Sequence, residues 1–121
     1  MLVLLVEPGK APRRMEMDND LQAMQKAVGG LLQVIYPFGE PVALVCNDEG
    51  KLLGLPANRG LRDAQGRLYD IVCGTFFLCA APLDRDSFES LTEEQLEHYR
   101  HRFRRPELFV NLGGEILCLP I

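Results

Sequence analysis

The chain has 121 residues, 47% of them hydrophobic, and 13 Lys and Arg against 17 Asp and Glu give a formal net charge of -4. That length and apolar content suit one globular domain, 1–121, with a continuous core. The basic residues are scattered except between Arg100 and Arg105, which disfavours nucleic acid as a partner. No apolar run approaches the roughly 20 residues of a membrane-spanning helix, so no membrane partner is expected.

The opening MLVLLV lacks a basic leader, and Glu7-Pro8-Gly9 stops it early. It is expected to form a first strand rather than a signal sequence. Arg13 to Met17 partly alternates in polarity and completes an N-terminal hairpin. Asp18 or Asp20 then caps a helix carrying Leu21, Met24 and Val28 on one face, with Gly29-Gly30 ending it.

Leu31 to Tyr36 and Val42 to Cys46 are the next strands, separated by Pro37-Phe38-Gly39-Glu40-Pro41. Asn47-Asp48-Glu49-Gly50 matches a tight hairpin that returns the chain through Lys51 to Leu55, and Asp63-Ala64-Gln65-Gly66 repeats that grammar. Tyr69 to Ala80 reads as one long strand with a bulge at Gly74. Thr92-Glu93-Glu94-Gln95 offers a capping box for a second helix whose Leu96, Tyr99 and Phe103 share a face. Glu107 to Leu112 and Glu115 to Leu119 flank Gly113-Gly114 as a closing hairpin, an extension over 107–121. The fold class expected is α+β: a mostly antiparallel sheet with two helices packed on one of its faces.

Cys46, Cys73, Cys79 and Cys118 each sit in apolar runs and not in CxxC pairs, which points to buried free thiols in a reducing cytosol, hence a cytoplasmic protein. His98 and His101 lie three apart on the second helix, but arginines surround them and no matching acid or thiol is in reach, so no metal site is expected. Ser87 and Ser90 lack a nucleophile elbow, and there is no Walker loop or dinucleotide fingerprint. No catalytic residue and no cofactor is assigned.

The polar residues that interrupt the apolar middle of the chain carry the functional expectation. Arg59, in a segment expected to be neither helix nor strand, could fork onto a phosphate or carboxylate, with Asn58 contributing its amide. Its alternative is an ion pair with Asp70 or Asp63. Asn47, Asp48 and Gly50 could line a site with Lys51 as its cation, although a hairpin turn asks for much the same residue types. Asp70 requires a partner if buried, Arg59 or Lys51, and otherwise faces solvent. Thr75 could present a hydroxyl, and Tyr36 is either a stacking platform or part of a corner.

The ordered motifs VEPGK, YPF, VALVCNDEGKL, LPANR and DIVCGTFF, from about Leu2 to Leu78, resemble a bacterial and phage family catalogued only as a domain of unknown function and common on mobile elements. The Arg-rich helix end and the last hairpin lie outside that pattern. The resemblance implies a small accessory protein of the cytosol, of a kind that often works by binding, including sequestration of host immune nucleotide signals. With the residue types above, the expected function is non-catalytic binding of a small anionic or nucleotide-like ligand, with Arg59 and Lys51 as phosphate clamps. The alternative is a protein-interaction module that inhibits a host or plasmid enzyme. A hydrolase acting through Asp48 or Asp70 ranks third, because no metal set or nucleophile pair accompanies either acid. A homodimer is expected through exposed sheet edges and the apolar hairpin Phe109 to Leu119.

Overall fold

Three five- or six-residue runs, LVLLV, VALVCN and FFLCA, are apolar along almost their whole length. Strands of that pattern bury both faces. In the computed structural model, which describes residues 1–121, they are β1 (Leu2–Val6), β4 (Val42–Asn47) and β7 (Phe76–Ala80). They form the middle of an antiparallel sheet of order β2-β1-β7-β4-β3, with β2 (Arg13–Glu16) and β3 (Leu32–Ile35) at its edges. Two further antiparallel pairs stand apart from it, β5 (Ala57–Arg62) with β6 (Leu68–Cys73), and β8 (Glu107–Leu112) with β9 (Glu115–Pro120).

Period-two alternation sorts the core into two layers. Val3, Leu5, Ala43, Val45, Phe77 and Cys79 meet Met24 and Val28 of α1 (Leu21–Val28). Leu4, Val6, Val42, Leu44, Phe76 and Leu78 meet Leu96, Tyr99 and Phe103 at α2 (Glu93–Arg102), together with Leu61 and Val72 of the β5–β6 ribbon. The two helices therefore cover opposite faces, and the expectation of both on one face is corrected. The cause is the double-sided apolarity of the central strands, since a single helix layer would leave one of their faces in water.

The helix ends form as their sequences dictate. Asp20 caps α1 by accepting a hydrogen bond from the Ala23 amide at 2.7 Å, and Gly29 closes it with φ of 80°. Thr92 and Gln95 make the reciprocal capping box of α2, whose acids lie in its first turn and Arg100 and Arg102 in its last.

Three local expectations are corrected. Residues 48–54 do not make a tight hairpin but coil into a turn in which the Leu53 amide donates to the Glu49 carbonyl at 2.8 Å. The next strand therefore starts at Ala57, beyond Pro56, and places Arg59 in β5. The long strand over Tyr69 to Ala80 is split in two at Gly74-Thr75, so that β6 belongs to the small ribbon and β7 to the centre of the large sheet.

Gly74 makes that split possible. It has φ of +85°, donates its amide to the Pro56 carbonyl at 2.7 Å, and packs so closely that a Cβ would lie 2.8 Å from Leu55 Cδ1. Gly66, at φ +80°, has nothing within 4 Å of the same position. Replacing Gly66 with Ala should cost only backbone strain, about 1 kcal/mol, whereas Gly74→Ala adds the clash and should cost about 2 to 3 kcal/mol in urea denaturation. Equal losses at the two sites would show that the contact with Leu55 constrains nothing.

Candidate ligand-binding cleft

Residues of β3, β4 and β6 and of the turn at residues 48–54 line a cleft of about 400 Å³. Ile35, Ile71 and Val72 supply apolar wall, while Asp48, Glu49, Lys51 and Asp70 supply charge. Its volume falls within the range of small-molecule sites. Lys51 Nζ lies 2.5 Å from Asp70 Oδ1, and both side chains remain substantially exposed. The hydrogen bond that Lys51 donates to Asp70 raises the Lys51 pKa. Asp70 Oδ1 also accepts the amide of Ile71 at 2.8 Å, which fixes its rotamer.

Asn47 shapes the rim and is itself buried. Its Nδ2 donates to the Val28 carbonyl at 3.2 Å, and its Oδ1 accepts the Glu49 amide at 2.8 Å, tying the turn to the end of α1. Gly50 completes the rim, since a Cβ there would lie 2.7 Å from the Cys73 carbonyl oxygen. Cys46 and Cys73 line the walls. Burial, reinforced by the charges of Asp70 and Asp48, pushes the Cys46 thiol up to about 11, and burial also raises Cys73. Neither is a thiolate at neutral pH, and no histidine lines the cleft to activate one.

The structure brings together Asn47, Asp48, Gly50, Lys51 and Asp70 of the residues singled out from the sequence, and it places Tyr36, Asn58, Arg59 and Thr75 elsewhere. Tyr36 stands beside Phe88 and Arg85 in a separate depression. Thr75 is half-buried in the link between β6 and β7. Arg59 and Asn58 lie in the interior, 0% and 1% exposed. Arg59 Nε and Nη2 both donate to the Phe103 carbonyl, at 3.2 and 3.1 Å; Nη2 reaches the Lys10 carbonyl at 2.6 Å, and Nη1 the Asn58 Oδ1 at 2.8 Å. Asn58 Nδ2 donates to the carbonyls of Val6 and Gly74, both at 2.9 Å.

Arg59 thus pairs with neither Asp70 nor Asp63, and its fork is occupied by backbone oxygens. Burial lowers its pKa, with the charge of Glu107 acting the other way. A guanidinium stays charged regardless, so carbonyl dipoles must neutralise it. What sequence reasoning missed at the cleft are Gln33, Cys46 and Cys73, apolar-run residues whose facing across two sheets no local spacing encodes.

A family model described as "Domain of unknown function (DUF3846)" matches residues 1–104. The match extends past Leu78 and takes in α2 with its Arg-rich end, which the sequence resemblance had left outside; β8 and β9 lie beyond it. No curated protein and no solved structure matches the chain.

Removing the Arg59 side chain leaves the buried Phe103 carbonyl and the part-buried Lys10 carbonyl without these donors. Arg59→Ala should therefore cost about 3 to 5 kcal/mol in chemical denaturation. Adding Asp70→Asn should not restore it, because Asp70 is bonded to Lys51. A loss under about 1 kcal/mol, or rescue by the second substitution, would overturn this assignment.

Proposed function

The chain belongs to the family described as domain of unknown function DUF3846, and we propose that it is a non-catalytic binding protein whose cleft takes a small nucleotide-like ligand. The observation that carries this reading is the convergence of Asn47, Lys51 and Asp70 on one concave site of about 400 Å³ with an apolar wall. The charges in that site refine the ligand. Lys51 is its one cation, against Asp48, Glu49 and Asp70. A free phosphate would face three carboxylates, whereas a sugar or base edge offers hydroxyl and amino donors that those carboxylates accept. The part of the ligand held here is accordingly the nucleoside. Binding of this kind acts by removing the ligand from solution, and sequestration of a host immune signal by a mobile-element protein is a role that needs affinity and no turnover.

A second reading rests on the β8–β9 ribbon. Its register puts Leu108 opposite Leu119 and Val110 opposite Leu117, with Leu112 following on the same face. Leu108, Leu112, Leu117 and Leu119 are 42 to 57% exposed. Such a face favours burial against another protein, either a host enzyme or a second copy of the chain.

Titration of nucleosides and their mono- and cyclic phosphates into the folded protein tests the first reading. Nucleosides should bind at least as tightly as their monophosphates, and Lys51→Ala with Asp70→Asn should weaken binding about tenfold or more while the melting temperature stays nearly constant, because the pair is exposed. Absence of binding across the panel would remove the cleft reading, and formation of a product would replace it with catalysis.

A further inference from the structure

A second depression, of about 380 Å³, lies where three parts of the chain meet: Arg62 at the end of β5, Arg102 at the end of α2, and Arg104 and Arg105 in the link to β8. Glu107 and Pro120 close it. Four arginines and one carboxylate line it, in a chain whose net charge is -4. Glu107 is already committed, accepting from Arg62 Nη1 and Nη2 at 3.2 and 3.3 Å. None of the ion pairs in the molecule uses Arg102, Arg104 or Arg105.

Two of these three free cations are nonetheless held in place. The Arg102 guanidinium lies 4.9 Å from the centre of the Phe38 ring, and Arg104 Nη1 donates to the His101 carbonyl at 2.9 Å. The negative end of the α2 dipole explains one or two arginines in its last turn. It does not explain Arg62, which comes from a different element and is turned into the same hollow by its bond to Glu107. Nor does it explain the concavity, since cations that serve only a helix end spread over its surface.

We propose that this arginine hollow is a binding site for phosphoryl anions, separate from the cleft at Lys51 and Asp70. The planar fork of each guanidinium matches phosphate oxygens in pairs, and several forks converging on a compact hollow suit a small, multiply charged anion better than an extended polymer. Pyrophosphate, with more charge and more oxygens than inorganic phosphate, is the better fit. The site stands independently of the cleft and can fail or survive without it.

Isothermal titration of pyrophosphate and of inorganic phosphate into the full chain at low ionic strength is the test. Pyrophosphate should bind, more tightly than phosphate, and added salt should weaken both. The double variant R104Q/R105Q should lose about tenfold or more in affinity, as expected for loss of charge-assisted hydrogen bonds, with an unchanged melting temperature. R105E is the second variant, chosen because the Arg105 side chain makes no hydrogen bond or ion pair that folding could depend on, and it should lose affinity similarly. No pyrophosphate binding by the folded wild type at millimolar concentration would overturn the proposal, as would undiminished binding in both variants. If poly-glutamate binds through these arginines and pyrophosphate does not, the hollow is an acidic-protein docking site and the proposal is wrong.

Discussion

A charged side chain at 0% exposure is the constraint around which the smaller half of this molecule is arranged. The Arg59 guanidinium has no carboxylate within ion-pair distance, so its desolvation is offset by hydrogen bonds to the carbonyls of Phe103 and Lys10 and to Asn58, with the more distant charge of Glu107 adding to them. Those acceptors belong to the end of α2, to the turn between β1 and β2, and to β5 itself. One side chain therefore holds three segments that are distant in sequence, and none of them can move without exposing an unsatisfied donor. Asn58 extends the same network to β1 through the Val6 carbonyl and to the β6–β7 link through the Gly74 carbonyl.

Asn58 and Arg59 are both buried, and β5 is irregular at that point. Its pairing with β6 shifts register between Ala57 and Arg59, leaving Asn58 without a cross-strand partner. The same network sets the position of the β5–β6 ribbon against the large sheet. The cleft between β4 and β6 is a consequence of that placement, and Lys51 and Asp70 reach one another only because the ribbon is held there.

Much of the architecture was legible because it is written in local chemistry. The unbroken apolar runs LVLLV and VALVC, the Thr92–Gln95 box, the αL glycine after α1 and the Asp63 turn each name their own structure; Asp63 Oδ1 accepts the amides of Gln65 and Arg67 at 2.9 Å. The family resemblance was legible for the same reason. Arg59 was not, since its partners are backbone carbonyls, which every residue possesses and no sequence pattern marks. The break at Gly74 was hidden because β6 and β7 are both apolar enough to continue one strand, and the choice between them is made by the amide bond to Pro56 and by contact with Leu55. Of the site, the polar residues of one turn could be seen. The facing wall could not, because it depends on how far apart two sheets are held.

Charge is distributed over this fold in a way that the net value conceals. The cleft carries an excess of carboxylates and the hollow at the end of α2 an excess of guanidiniums, and the buried charge of Arg59 lies in the network whose carbonyl at Phe103 directly precedes Arg104. Phe103 also packs edge-on against Phe76 of the central strand, at 5.6 Å between ring centres. Arg102, Arg104 and Arg105 are thus carried on a segment anchored twice at Phe103, by its carbonyl and by its ring, whereas the turn bearing Lys51 is held at its start by Asn47 and by the Asp48 amide on the Leu31 carbonyl at 2.8 Å. Rigid presentation lowers the entropy lost on binding, so a segment anchored in this way favours holding a small anion by few contacts.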